Sequence, residues 1–324
     1  MISPSLASIY EPIQQELLQV EENLRQVTKV DSPYLAKPLH HVLSNGGKRI
    51  RPALTLLAGK FYHYNLKLLL PIATAVELLH TATLIHDDTI DNSPQRRGKP
   101  TLNSLWDNST AILLGDYLFA TSAYVASQTG NLRVMRLFAH TLMSICSGEL
   151  DETSSAFDLS QLRTHYYWRI GNKTASLFSL AAQSGAILSK APKEVVQALR
   201  DYSYNLGMGF QIVDDIFDFE AEGEEIGKPV GSDLLRGVLT LPTIVFLESH
   251  PEGDSVKGIS DLHDNLDKLN LVVGKIRQPS NIAQCYAIAA QFCSQGCSAL
   301  NALPQNSVRQ ALVSLADYVI TRRR

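Results

Sequence analysis

Two acidic segments, one in the first third of the chain and one about two thirds of the way along, constrain its fold and function more than any other feature. Residues 84–91 are LIHDDTID and residues 211–218 are QIVDDIFD, so each segment places three aspartates at i, i+1 and i+4. On a helix these three side chains lie on one face. Carboxylates packed in this way repel one another and destabilise the helix. The two segments therefore predict a shared, polynuclear cation site.

Apolar residues recur at helical spacing along almost the whole chain, and no segment shows the alternation of a strand. Pro52 suits the first turn of a helix, and Pro71 and Pro94 are expected to open and close the helix of the first acidic segment. Further helices are predicted over residues 9–27, 34–43, 107–128, 132–152, 158–189, 192–220, 239–249, 254–276, 278–302 and 305–322. These helices predict an all-α fold, one large helical bundle. Because no linker separates them, we expect a single domain over residues 1–324.

The composition is that of an ordinary soluble protein. The 324 residues are 45% hydrophobic and carry a net charge of −3, so no global charge predicts a nucleic-acid partner. The start of the chain lacks the pattern of a secretory signal, and polar residues and a proline interrupt the most apolar stretch, residues 68–86. The cysteines do not have the spacing of metal ligands. We therefore expect reduced thiols that pack as small residues in the protein core, and a cytoplasmic protein. They are Cys146, Cys285, Cys293 and Cys297.

Both acidic segments lie near the C-terminal ends of their predicted helices. That end of a helix is electrostatically negative and disfavours aspartate, so stability alone would not place six aspartates there. A solvated helix end is the alternative for either segment by itself, but two matching segments that each follow apolar helix favour a metal site. Mg²⁺ is usually held by one or two carboxylates together with substrate phosphates.

Basic residues occur where a substrate with phosphate groups would need them. Residues 46–51, GGKRIR, place a glycine hinge and cations at a helix N-terminus, a natural anion site. Residues 93–99, SPQRRGK, follow the first acidic segment, Lys173 lies mid-chain, and Lys228 follows the second segment. Because arginine and lysine both bind phosphate oxygens, these residues suggest two diphosphates joined through metal.

These motifs resemble those of the trans-isoprenyl diphosphate synthases, or polyprenyl synthetases, of the medium- to long-chain type, over nearly the whole chain. The most specific parts are the two DDxxD motifs and the GKR segment. The others are VELLH at 76–80, RRGKPT at 96–101, GEL at 148–150, KTA at 173–175, GFQ at 209–211, GKPVGSDL at 227–234 and LTLP at 239–242.

The resemblance implies a helical fold around a deep cavity, with the two aspartate motifs facing each other across its mouth and three Mg²⁺ bound together with substrate. By matching position, the direct metal ligands would be Asp87, Asp91 and Asp214, supported by Asp88, Asp215 and Asp218. The allylic diphosphate would be held by Arg96, Lys173 and Lys228, with Thr174 and Gln211 in the same region. The diphosphate of isopentenyl diphosphate would be held by Lys48, Arg51, His80 and Arg97. His80 lies on an apolar helix and could instead be a core histidine.

The implied reaction is a Mg²⁺-dependent, head-to-tail 1′-4 condensation of isopentenyl diphosphate with an allylic diphosphate, which builds an all-trans polyprenyl diphosphate. It needs no protein nucleophile, and the chain has no obvious catalytic dyad. The chain departs from the family's pattern at Val238, where many members of the family that it resembles carry a lysine before LTLP. One cation on the allylic diphosphate is therefore missing unless Arg236 substitutes, and we expect weaker substrate binding rather than inactivity.

Two other functions are alternatives to the synthase. A terpene cyclase shares the first aspartate motif but typically carries an Asn/Ser/Glu pattern in place of the second. A non-catalytic regulatory subunit of a heteromeric synthase usually lacks one of the motifs. Both motifs are intact here, which favours the synthase.

The helix before Asp87 predicts product length. Thr83 and Ala82 lie on the face that points down the cavity, with Leu79 one turn further. Relatives with short products resemble one another in placing aromatic residues there, whereas residues 71–86 contain none. A product of about six to ten isoprene units is therefore expected. A shorter product, geranylgeranyl or farnesyl diphosphate, is the alternative if another helix supplies the floor, through Tyr117, Phe119 or Phe138.

The resemblance also implies a homodimer. The last residues, TRRR at 321–324, could contact anionic lipid peripherally, but a solvated helix end is the favoured interpretation because cations suit a helix C-terminus.

Overall fold

The computed structural model describes residues 5–44, 46–96, 98–220, 230–250 and 266–322, and almost all of its regular structure is helical. The prediction of an all-α fold is confirmed. The helices are α1 (Leu6–Ile9), α2 (Gln14–Val27), α3 (Pro33–Leu43), α4 (Ile50–Gly59), α5 (Leu66–Ile90), α6 (Leu102–Leu105), α7 (Asn108–Ser127), α8 (Leu132–Ser154), α9 (Arg163–Ile170), α10 (Ser176–Leu188), α11 (Lys193–Glu220), α12 (Ser232–Leu235), α13 (Leu241–Ser249), α14 (Leu266–Ile276), α15 (Pro279–Ala299) and α16 (Ser307–Thr321). Short 3₁₀ turns span Glu11–Ile13 and Leu300–Ala302.

Helix α5 lies at the centre of the bundle, packed against α4, α7 and α10. Within the described ranges it is the one helix long and apolar enough, by length and composition alone, to cross a membrane. Leu69 in its first turn, and Val76, Leu79 and Ala82 further along, are completely buried by the neighbouring helices. The apolar character of α5 is thus accounted for by its place in the protein core.

The core consists of two hydrophobic clusters that share helix α11. The first half of α11 contributes Tyr202 and Leu206 to a large cluster built mainly from α4, α5 and α10. Its second half contributes Ile212 and Ile216 to a smaller cluster with α9, α13, α14 and α15. The division into one domain stays a prediction, but the shared helix places the second aspartate motif at a defined position beside both clusters.

Helix α5 begins five residues before Pro71, contrary to the prediction that this proline opens it. The side-chain oxygen of Asn65 accepts a hydrogen bond from the backbone N–H of Lys67 and caps the helix there. Pro71 lies in the second turn, where its missing N–H deprives only the carbonyl four residues earlier of a partner. Burial of the first turns, with Leu69 completely enclosed, favours the longer helix.

The helix predicted over residues 158–189 is shorter and interrupted. It begins at α9, because residues 155–162 form a loop in which the N–H of Phe157 (φ 65°) donates to the carbonyl of Gly237 at 2.9 Å. A single π-helical turn, Gly171–Ala175, then separates α9 from α10. Apolar periodicity does not reveal such turns, which are frequent at functional sites. The part of another predicted helix over residues 254–265 lies outside the described residues.

The expectation that the chain has no strand is wrong at one short hairpin. Gln95–Arg96 (β1) pairs antiparallel with Lys99–Pro100 (β2), and Gly98 between them has φ 73°. The expectation for the cysteines is wrong for Cys146, which is exposed. Cys285 and Cys293 are buried, Cys297 is half-buried, and all four thiols are free.

Candidate active site

The first aspartate motif lies in the last turn of α5, and two of its carboxylates pair with arginines. The Nε of Arg96 lies 2.9 and 2.8 Å from the two oxygens of the buried Asp88. Asp91, at the C-cap of α5, forms an ion pair with Arg236. Arg96 is therefore bound to the motif itself. Arg236, two residues before Val238, lies directly at the site.

Asp87, the remaining aspartate of this motif, belongs to a charged cluster around Lys173. The Nζ of Lys173, in the π-helical turn, lies 2.6 Å from Glu149 and 2.7 Å from Glu152 of α8. Burial raises the pKa of Asp87 to about 7, with Lys173 opposing the shift and Glu149 adding to it. Burial by itself would lower the pKa of Lys173, but Glu152, Asp87 and Glu149 raise it above its ordinary value. Lys173 is thus a cation held between carboxylates from two helices.

Asp214 of the second motif pairs with an arginine from the end of the chain. Nη2 of Arg322 lies 2.8 Å from Oδ1 of Asp214 and 2.9 Å from the carbonyl oxygen of Phe210. The guanidinium is buried and lies 3.9 Å from the centroid of the Phe210 ring and 5.4 Å from that of Phe217. The interpretation of residues 321–324 as a solvated helix end is therefore wrong for Arg322, because the chain folds back and packs α16 against α11.

Asp215 is enclosed by protein hydrogen bonds. Its Oδ2 accepts a hydrogen bond from the hydroxyl of Tyr166 at 2.6 Å, and its Oδ1 accepts one from Nε2 of Gln211 at 2.7 Å. Oε1 of Gln211 in turn accepts a hydrogen bond from the hydroxyl of Thr174 at 2.7 Å. Burial raises the pKa of Asp215 well above its ordinary value, and the hydrogen bonds from Tyr166 and Gln211 oppose that shift.

Arg236 and Asp233 connect the two motifs. Arg236 pairs with Asp91 and also donates to Asp233 at 2.7 Å. The backbone N–H of Asp233 donates to one oxygen of Asp218 at 3.2 Å, and the hydroxyl of Ser232 donates to the other at 2.8 Å. Burial, followed by the charge of Asp233, raises the pKa of Asp218 to about 6. The C-terminal ends of α5 and α11 therefore lie beside the same short helix, α12.

The donor chemistry of this region fits Mg²⁺. In the described part of the chain no three Asp, Glu, His or Cys side chains converge closely enough to hold a metal by themselves. Mg²⁺ does not require such a cage, since it is usually bound by one or two carboxylates together with phosphate oxygens and water. Burial raises the pKa of Asp87 and of Asp218 and so disfavours their charged forms, which a bound cation would stabilise. Asp91 and Asp214 already pair with Arg236 and Arg322.

Arg51, assigned to isopentenyl diphosphate by resemblance, is connected to the second motif through two aromatic rings. Its guanidinium lies 4.7 Å from the centroid of the Phe178 ring. Phe178 packs against Phe210 with their centroids 5.3 Å apart, and Phe210 underlies Arg322. The basic segment at the start of α4 is therefore linked by ring packing to Phe210, four residues before Asp214.

Three other residues are assigned to isopentenyl diphosphate, Lys48, His80 and Arg97. The Nζ of Lys48 lies 5.9 Å from the centroid of the Tyr318 ring on α16. His80 is half-buried on α5. Arg97 lies outside the described residues, as does Lys228, which was assigned to the allylic diphosphate.

The positions assigned to product length lie in the buried part of α5. Ala82 and Leu79 are completely buried and Thr83 is half-buried. Of the alternative floor residues, Phe119 packs edge-on against His86 with centroids 5.0 Å apart, which places it at the level of the aspartate motif.

Sequence reasoning assigned no role to several residues that build the site. Glu149 and Glu152 flank Lys173, and their spacing of three residues on a helix was the available signal. Arg169 is 1% exposed and donates to the carbonyl of Leu239 at 2.6 Å. Like Tyr166 it lies within an aromatic run, and no sequence pattern marks either residue as part of a site.

Comparison with known proteins agrees with this geometry. Residues 32–271 match the family model described as polyprenyl synthetase. The chain belongs to the polyprenyl synthetase family. It is 36% identical over 314 residues to heptaprenyl diphosphate synthase component 2 of Geobacillus stearothermophilus, an alignment that covers 97% of this chain and 98% of that one.

Solved structures give the same result. Heptaprenyl diphosphate synthase from Staphylococcus aureus superposes with a TM-score of 0.91 at 34% identity, covering 96% of this chain and 98% of that one. Polyprenyl synthase from Caulobacter crescentus, complexed with calcium and isoprenyl diphosphate, superposes with a TM-score of 0.94 at 28% identity and covers both chains completely. This polyprenyl synthetase is thus a prenyltransferase with the all-α isoprenoid synthase fold.

Proposed function

We propose that this chain condenses isopentenyl diphosphate with an allylic diphosphate, repeatedly, to build a long all-trans polyprenyl diphosphate. The observation that carries the proposal is the meeting of two complete aspartate motifs, linked through Arg236, with Lys173 beside the first. Incorporation of labelled isopentenyl diphosphate by the purified chain tests it. No incorporation by the isolated chain would contradict it.

Asp87, Asp91 and Asp214 would hold Mg²⁺, three ions with substrate bound, and Asp88 and Asp218 would support these ligands. When bound, Mg²⁺ supplies Lewis-acid stabilisation of the charge on the departing diphosphate. The arginines on Asp88, Asp91 and Asp214 neutralise these carboxylates in its absence.

The chain's own residues position the substrates and protect the reaction. Lys173 and Arg96 bind the allylic diphosphate and stabilise the negative charge that it gains as its C–O bond breaks. The alkene of isopentenyl diphosphate then forms the new C–C bond, and a proton passes from the adduct to the released diphosphate. The buried apolar turns of α5, ending at Ile85, exclude water that would capture the cationic intermediate.

Two observations support a long product. Residues 71–86 of α5 carry no aromatic side chain. A cavity of about 780 Å³ lies between α2, α5 and α7, lined by Leu70, Thr74, Tyr117 and Tyr124 among others. Thr74 lies about 20 Å from Asp87 along the helix axis. We propose that the growing hydrocarbon chain extends along α5 from Asp87 toward this cavity.

Aromatic substitutions along one stripe of α5 test the product length. Ala82, Leu79 and Ala75 share that stripe, so replacing each with Phe should give products that lengthen as the substitution moves away from Asp87. Thr81→Phe, about 100° away on the helix, is the control and should leave the product unchanged. Chromatography of the extracted products checks this, with thermal melting to verify folding. A fifteen-carbon product from the unmodified chain, or identical products from all three variants, would contradict the proposal.

We also propose that the chain forms a homodimer through the outer faces of α7 and α8. Leu113 and Tyr124 lie on one side of α7, and Met143 and Leu150 on one side of α8, and each is at least 67% exposed. Aligned apolar stripes on two adjacent helices are typical of a subunit interface. One relative is named as component 2 of a synthase, so a different subunit on this face is the second possibility.

Light scattering of the purified chain separates these possibilities. A dimer that dissociates in Leu150→Glu but not in Leu18→Glu, an exposed leucine on α2, supports the homodimer. A monomer that gains activity only with a second protein would support a heteromeric enzyme.

A further inference from the structure

A continuous chain of side-chain hydrogen bonds leads from the core to the residue beside Lys173. It runs from the hydroxyl of Tyr166 through Asp215 and Gln211 to the hydroxyl of Thr174, with donor–acceptor distances of 2.6, 2.7 and 2.7 Å. Tyr166 is completely buried and Asp215 is 5% exposed. These four residues, the Tyr166 relay, connect α9, α11 and the π-helical turn.

The relay determines how the amide of Gln211 is oriented. Oδ1 of Asp215 is an acceptor whether or not Oδ2 carries a proton, so it binds the NH₂ group of Gln211. The carbonyl oxygen of Gln211 is then directed to Thr174, whose hydroxyl donates to it. If Asp215 presented a donor instead, the amide would turn over and the bond to Thr174 would lose its acceptor.

The relay also explains how an uncommon backbone conformation is held at the site. The turn Gly171–Ala175 is π-helical, a rare conformation that frequently occurs at functional sites. Thr174 joins this turn to α11 by its hydrogen bond to Gln211, and Lys173 precedes it. Both oxygens of Asp215 accept hydrogen bonds from neutral donors within the protein, which makes Asp215 unlike Asp91 and Asp214, whose carboxylates pair with the charged side chains of Arg236 and Arg322.

We propose that Tyr166 and Asp215 are positioning residues for the allylic diphosphate site rather than metal-binding groups. They orient Gln211 and, through Thr174, hold the turn that presents Lys173 to the substrate. This inference rests on the proposed function, in which Lys173 binds the allylic diphosphate, and it assigns Asp215 a role different from that of its neighbours in the DDxxD motif.

Tyr166→Phe tests the relay because it removes one hydroxyl and keeps the ring. We expect the KM for farnesyl diphosphate, used as the allylic substrate, to rise on the order of 10-fold. The KM for isopentenyl diphosphate and the Mg²⁺ concentration for half-maximal activity should stay unchanged. Tyr202→Phe is the matched control, since Tyr202 is equally buried and donates to the carbonyl of Leu312 at 2.6 Å. It should lose similar thermal stability without a change in either KM.

Asp215→Asn separates the relay from metal binding. The asparagine can still accept from Tyr166, but its NH₂ group would then face that of Gln211 and turn the amide over. We expect the same allylic-specific defect as in Tyr166→Phe, with the Mg²⁺ requirement unchanged. A raised Mg²⁺ requirement, or equal changes in both KM values, would overturn the proposal. Calorimetric binding of farnesyl diphosphate to each variant measures the relay even if the unmodified chain does not condense the substrates, so failure of the proposed function is distinguishable.

Discussion

Nη2 of Arg322 lies 2.8 Å from Oδ1 of Asp214, so a cation from the end of α16 occupies a carboxylate assigned to Mg²⁺. We predict that Arg322→Ala lowers the Mg²⁺ concentration for half-maximal activity about 5-fold, because the competing cation is gone. Loss of its charge-assisted hydrogen bonds should also lower the free energy of unfolding by about 2 kcal/mol. Mg²⁺ titrations of the initial rate and chemical unfolding measure these effects. Arg25→Ala, which removes a largely exposed partner of Glu22, is the control, and an unchanged or higher Mg²⁺ requirement in Arg322→Ala would contradict the prediction.

The metal-free protein should lose stability as the pH rises from about 4 to about 7. Folding raises the pKa of Asp87 to about 7 and that of Asp218 to about 6, mainly through burial. The folded state therefore holds protons that the unfolded state has already released above its ordinary carboxyl pKa, and the free energy of unfolding falls across this window. Urea unfolding in the presence of a chelator, from about pH 4 to about pH 8, measures it.

Asp87→Asn should flatten that pH dependence because the amide has no proton to lose. Asp107→Asn is the control, since hydrogen bonds from Thr110 lower the pKa of this N-cap residue and asparagine caps as well as aspartate. A pH dependence that is equally steep in Asp87→Asn and in the unmodified protein would show that this carboxyl does not cause it.

Glu149 and Glu152 offset the positive charge of Lys173. Removing the lysine charge and removing a glutamate charge should therefore have opposite effects on the allylic substrate. We predict that Lys173→Gln lowers kcat about 100-fold, because it removes a preorganised cation from the departing diphosphate. Glu152→Gln should lower the KM for the allylic substrate several-fold, since less negative charge opposes its binding. Steady-state kinetics with both substrates varied measures this. A higher allylic KM in Glu152→Gln would instead show that this carboxylate is needed to aim Lys173.

A lysine introduced at position 238 should strengthen substrate binding. Val238 is 9% exposed and lies two residues after Arg236, which already contacts the first motif. Val238→Lys is expected to lower the KM for the allylic diphosphate by about 10-fold, the value of one added charge-assisted contact. Val238→Met, of similar length without the charge, is the control. Equal kinetics in the two variants would show that Arg236 already supplies the missing cation.

The helical fold and the position of the two aspartate motifs could be predicted from the chain alone. Both depend on local order: apolar spacing specifies helices, and three aspartates at i, i+1 and i+4 share a helix face wherever that helix packs. The helix ends were less predictable. Asn65 caps α5 ahead of Pro71, and the contact of Phe157 with Gly237 delays the start of α9.

The partners of the charged groups were decided only by the tertiary structure. Arg322 meets Asp214 from 108 residues away, Tyr166 meets Asp215 from 49 residues away, and Arg236 reaches back to the first motif. Nothing in the sequence near these residues specifies the pairing, because burial leaves each charge to be satisfied by whichever group the packed helices bring within reach. The sequence by itself thus determined which residues carry the chemistry, and the packing of α8, α9, α12 and α16 around α5 and α11 determined what holds them in place.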